Sequence, residues 1–158
     1  MNNKSESFKE KLKQALSSTA RAISDDLKLK SKENVKSDFD DFKSFELDNL
    51  NNKSDFLKAR AESDSKALKR KFSDELIFKK NLPSSSSYKS LYTIAEKIRY
   101  ETLGSAMLRG IEKNLKENYI QINSLKKKDQ LKSKDDVPVT EAFELYMLKN
   151  FHNIELNP

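Results

Sequence analysis

The chain contains no cysteine, which removes disulfides, iron–sulfur clusters and thiolate zinc sites from consideration. His152 is its only histidine, so a hydrolase triad would have to be built around one imidazole near the end of the sequence, and a metal could be held only by oxygens and that ring. Two glycines and three prolines supply little turn chemistry for hairpins. The glycines, Gly104 and Gly110, are separated by Ser105-Ala106-Met107-Leu108-Arg109, and no Walker A loop or dinucleotide fingerprint can be written around them. A metal-ion-dependent adhesion motif is missing too, because Asp64-Ser65 continues with Lys66-Ala67 instead of the second serine of Asp-x-Ser-x-Ser. No window approaches ~18 apolar residues, and Met1-Asn2-Asn3-Lys4-Ser5-Glu6 leads into a polar amphipathic segment rather than an apolar signal region. A cytoplasmic chain without membrane contact is the expectation.

What is present is charge. Charged residues make up 35% of the 158 positions and hydrophobic residues another 35%, a balance that concentrates apolar side chains on helix faces and predicts a lean core. The net charge of +6 arises from 31 basic and 25 acidic residues that interleave along the chain. Nucleic-acid binding needs a concentrated basic stripe, and Lys126-Lys127-Lys128 is the only tight run, so that footprint is weak. The acidic group Asp38, Asp40, Asp41, Glu46 and Asp48 lacks the glycine and closing glutamate of an EF-hand loop and reads as a solvated loop.

Apolar spacing predicts an all-α fold, a small helical bundle read as a single module over residues 1–158 with helices at about 6–24, 54–80, 87–118 and 139–152. Ser5 or Ser7 can cap the first, with Ser7 and Glu10 at capping-box spacing, and Phe8, Leu12, Ala15, Leu16, Thr19 and Ile23 mark its face. Leu27-Lys28-Leu29-Lys30 alternates with period two and allows a short β element, and residues 31–53 read as a loop docking scattered aromatics. Phe56, Leu57, Ala61, Ala67, Leu68, Phe72, Leu76 and Ile77 carry the second helix to Asn81-Leu82-Pro83. The third, capped by Ser87, is the expected spine, and both glycines fall inside it, where each costs ~1 kcal/mol against alanine unless a neighbouring helix crosses closely. Pro138 and Thr140 introduce the last helix, whose apolar residues include Phe143, Leu148 and Phe151.

Glu96 and Arg99 stand at i,i+3 and can pair along the surface while Glu101 points elsewhere; an exposed ion pair and a polar network between helices or with a partner are equally compatible with that spacing. His152, close to the end of the last helix, reads as a helix-terminal or cationic residue rather than a ligand or base.

Three stretches together resemble one family, the T subunit of the aerobic cobaltochelatase. Phe8 followed by Ser18-Thr19-Ala20-Arg21-Ala22-Ile23 is similar to that family's opening alanine-rich helix, which ends in Thr-Arg-Ala-Ile or a near variant. Ala61-Glu62-Ser63-Asp64-Ser65-Lys66-Ala67-Leu68 is similar to its Ala-Asp-Ser-x-Ala-Leu segment. Glu96-Lys97-Ile98-Arg99-Tyr100-Glu101-Thr102-Leu103-Gly104, then Gly110 and Asn114-Leu115, matches its pattern Glu-x-x-Arg-x-Glu-x-(Leu/Ile)-Gly with a second glycine and Asn-Leu following. Val139 to Phe151 resembles its Ala-Phe-x-Leu element. Histidines that many members carry after the second stretch are absent, with Lys71-Phe72 near that place. The acidic linker and von Willebrand factor A-type domain of full-length members are also absent, so a fragment, a split gene product or a stand-alone remnant is expected.

The resemblance implies a subunit of a metal–nitrogen ligase that inserts cobalt into hydrogenobyrinic acid a,c-diamide at the expense of ATP. An AAA+ subunit and a large corrin-binding subunit are the implied partners. ATP and cobalt are then handled by the complex, with no cofactor, metal or catalytic residue in this chain. The implied structural or interfacial residues are Arg99 and Glu101 as polar contacts, Gly104, Gly110 and Asn114 at a close helix crossing, and with them Glu96, Asp64 and Arg21. A reading of another class stays open beside it, a non-enzymatic basic adaptor that binds nucleic acid or another acidic partner through Lys126 to Lys128, Lys132 and Lys134.

Overall fold

The computed structural model describes residues 2–24, 52–125 and 138–155. Among these, the secondary structure is six helices and no strand: α1 (Asn2–Ile23), α2 (Lys53–Phe72), α3 (Glu75–Lys80), α4 (Ser86–Met107), α5 (Arg109–Leu125) and α6 (Val139–His152). The all-α expectation holds. The β element at 27–30, the loop over 31–51 and the lysines from 126 to 134 lie outside the described residues. The chain divides into two compact units, Met1–Lys71 and Phe72–Pro158.

In the first unit, α1 starts at Asn2, upstream of the expected serine cap. Leu16, Ala20 and Ile23 are its buried residues, a stripe at spacings of four and three, whereas Phe8 is 60% exposed and does not belong to it. The Ser24 hydroxyl closes the helix by donating to the Ala20 carbonyl at 2.8 Å. The start of α2 at Lys53, one position before the expected start at about 54, is fixed by Asn52, whose Oδ1 accepts from the Asp55 amide at 3.0 Å. Its buried face is made of small residues, Ala59, Ala61, Ser63 and Ala67, with Leu68 and Asp64.

The expected helix over 54–80 is interrupted at Ser73-Asp74. Asp74 is extended, and its carboxylate accepts from the amides of Leu76 and Ile77 at 2.9 and 3.0 Å, capping a new helix in place of continuing the old one. α3 consequently carries Leu76 and Ile77 outward, at 81% and 60% exposure, rather than along the expected apolar face.

The expected spine over 87–118 is likewise two helices, α4 and α5, joined through Leu108 in an extended conformation (φ −136°, ψ 102°). Its backbone groups remain satisfied: the Leu108 amide donates to the Gly104 carbonyl at 2.9 Å, and the Leu108 carbonyl accepts from Ile111 and Glu112 at 2.9 and 3.2 Å. α4 packs against both α6 and α5. On α5 the buried residues are Ile111, Asn114, Leu115, Asn118 and Tyr119, the i, i+3, i+4, i+7, i+8 stripe of an amphipathic helix. Ile98 and Tyr100 of α4 and Leu148 of α6 are buried with them. α6 ends at Asn153 in the left-handed conformation (φ 49°, ψ 45°), and the Ile154 amide returns to the Leu148 carbonyl at 3.5 Å, which turns the chain so that Ile154 is buried.

Candidate functional site

Two polar clusters in the second unit both draw on α4. The outer one is centred on Arg99, whose Nε and Nη2 donate to Glu96 Oε2 and Oε1 at 2.7 and 2.8 Å in a bidentate fork. Nη2 also donates to the Phe72 carbonyl at 2.6 Å, and the Ser73 hydroxyl donates to Glu96 Oε1. The pair therefore clamps the backbone where α2 gives way to α3. Beside it lies an open groove of about 540 Å³, lined by Phe72, Ile77, Phe78, Tyr92 and Ala95 together with Asp74, Glu96 and Arg99. The rings of Phe78 and Tyr92 stack with centroids 5.1 Å apart.

The inner cluster joins α4, α5 and α6. Glu101 is 1% exposed, and its Oε2 accepts from the Tyr119 hydroxyl at 2.6 Å. Burial, reinforced by the negative charge of Glu101, pushes the Tyr119 phenol far above its ordinary value, so it stays protonated and serves as a donor. The His152 side chain is 3% exposed, with Nε2 4.0 Å from Glu101 Oε2 and the ring 5.8 Å from that of Tyr119. Lys97 lies over the Tyr119 ring, Nζ 5.2 Å from its centroid, and 3.9 Å from Glu144 Oε1. Burial and the nearby positive charge of Lys97 lower the His152 pKa, against a weaker opposing pull from Glu112. His152 is thus helix-terminal as expected, but the cationic reading is corrected: desolvation favours its neutral form at neutral pH.

Of the residues singled out in the sequence, Glu96 and Arg99 meet in the outer cluster, and Glu101 is held apart from them in the inner one. Gly104 is buried on α4, Asn114 on α5 and Asp64 on α2, while Arg21 is exposed in the last turn of α1. Gly110 does not sit at a close helix crossing. A Cβ there would meet nothing within 4 Å, because the residue lies in the exposed first turn of α5. Among the described residues no three His, Cys, Asp or Glu side chains are grouped to hold a metal ion, and no helix is long and apolar enough to cross a membrane.

The family model described as cobalamin biosynthesis protein CobT matches residues 6–151. The chain belongs to the CobT family. No curated protein and no solved structure matches it. The CobT match runs from the first turns of α1 almost to the end of α6, so most of both units and, apart from His152, both polar clusters fall within it. Sequence reasoning missed Tyr119, Ser73 and the chemical setting of His152. For Tyr119 a signal existed: the stripe Ile111, Leu115 continues by four to Tyr119, beyond the expected helix end at 118, and an aromatic hydroxyl on a buried stripe needs a partner. For Ser73 there was none, since its role depends on the break that Asp74 makes.

Proposed function

We propose that this chain is a helical assembly module of the aerobic cobaltochelatase, serving ATP-driven insertion of cobalt into hydrogenobyrinic acid a,c-diamide during cobalamin biosynthesis. It acts by binding the AAA+ subunit and the large corrin-binding subunit, with ATP and cobalt, the latter a substrate, handled by the complex. The observation that carries this reading is the CobT match over 6–151. It is supported by the kind of polar chemistry the described residues hold: paired charges and buried hydrogen bonds that fix helices. Exposed apolar side chains on short structural corners, Leu76 and Ile77 on α3 and Met107 and Leu108 at the α4–α5 link, offer contact area for a protein partner.

The test is co-elution of the chain with the AAA+ cobaltochelatase subunit of the same organism, with and without ATP, at moderate salt. Stable, salt-tolerant co-elution is expected. Failure to bind under conditions where a full-length T subunit binds would overturn the assembly role, and binding to nucleic acid that falls steeply with salt would point to an electrostatic adaptor instead.

A further inference from the structure

A basic side chain as deeply buried as His152 ordinarily has both ring nitrogens satisfied. Here Nε2 is buried without a hydrogen-bond partner, and it lies 4.0 Å from Glu101 Oε2, the same oxygen that accepts from the Tyr119 hydroxyl at 2.6 Å. The gap exceeds a hydrogen bond by roughly 1 Å. Its three participants stand on three helices, so the gap reflects how α4, α5 and α6 meet.

We propose that His152 and Glu101 form a proton-operated latch at this junction: a proton taken up from solvent at Nε2 converts the gap into a charge-assisted hydrogen bond to Glu101 Oε2, in competition with the Tyr119 hydroxyl. Closing the gap draws the end of α6 toward α4 and loosens the tie between α4 and α5. The charged groups facing the imidazole are Glu101 and Lys97 on α4, Glu112 on α5, and Glu144 on α6, which engages Lys97 at 3.9 Å. Glu112 favours the charged ring, whereas burial and Lys97 oppose it.

The sign follows from the lowered pKa. The folded chain takes up this proton less readily than the unfolded chain, so stability is full above the unfolded value of ~6.5 and falls as pH drops through that value toward the folded one. At neutral pH the latch is open and Tyr119 holds Glu101; mild acid drives it.

Because His152 is the only histidine, its imidazole resonances can be assigned without variants. An NMR titration of the full chain from pH 8 to 5 should give a single imidazole midpoint below ~6.5, with the Tyr119 ring resonances moving at the same midpoint. In Glu101→Gln, which removes the acceptor charge, the midpoint should fall further, by roughly one unit. Thermal midpoints should drop over the same window in the natural chain and show no such step in His152→Gln. An imidazole midpoint at or above ~6.5, Tyr119 resonances that stay fixed while His152 titrates, or a midpoint indifferent to Glu101→Gln would each overturn the latch.

Discussion

Glu96 and Glu101 are the same residue type on the same helix, separated by about 140° around its axis, and the structure gives them opposite tasks. Glu96, its side chain 16% exposed, holds Arg99, itself 46% exposed, in a fork that fastens the α2–α3 junction. Glu101 turns into the core, where a tyrosine hydroxyl and a neutral imidazole surround it. A charge pair gains less where solvent already reaches one partner, here the Arg99 guanidinium, whereas a fully buried carboxylate depends on every donor the protein supplies. The outer cluster should therefore be tolerant and the inner one brittle.

Glu101→Ala breaks the inner side of that contrast. It leaves the Tyr119 hydroxyl buried without its acceptor and a void between three helices, and should cost about 3 kcal/mol in urea unfolding followed by circular dichroism. A cost under about 1 kcal/mol would show that the core relaxes around the vacancy and that the two clusters differ in position alone. Glu96→Ala tests the outer side. The freed guanidinium is already partly hydrated, so the loss should be about 1 kcal/mol or less, with the difference from Glu101→Ala preserved at high salt. Gly110→Ala gives the smallest expected effect and the opposite sign, a gain of about 0.5–1 kcal/mol, because a methyl group meets open space in a helical turn. Destabilisation by that substitution would reinstate a close helix crossing at Gly110.

The helical class and the last helix were legible because apolar residues repeat at three and four and Pro138 marks a start. The two long helices were each read as continuous because no proline interrupts them and because Gly104 and Gly110, inside the second, read as marks of a close helix crossing. What divides them is local competition that periodicity does not register: at Asp74 a short carboxylate takes over two amides, and at Leu108 one residue becomes extended between helices that pack against each other. The Glu96–Arg99 pair followed from i,i+3 spacing, but its grip on Phe72 depends on the break at Ser73-Asp74 and had no local signature. Glu101 stood out through its place in a family-like pattern, while its partners lie on α5 and α6, far along the chain, and only the packing of α4 on both brings them together.

The one-residue link at Leu108 has a consequence for how much change this part of the chain can absorb. A long loop would let lengths drift on either side, but here the phase of α5 is geared directly to that of α4. One residue inserted at the link would turn every position of α5 by about 100°, swinging Asn114, Leu115 and Tyr119 away from the core together and taking the Tyr119 hydroxyl from Glu101 in the same stroke. Side chains at this corner can vary, since Met107 and Leu108 are exposed, but the count of residues through it cannot.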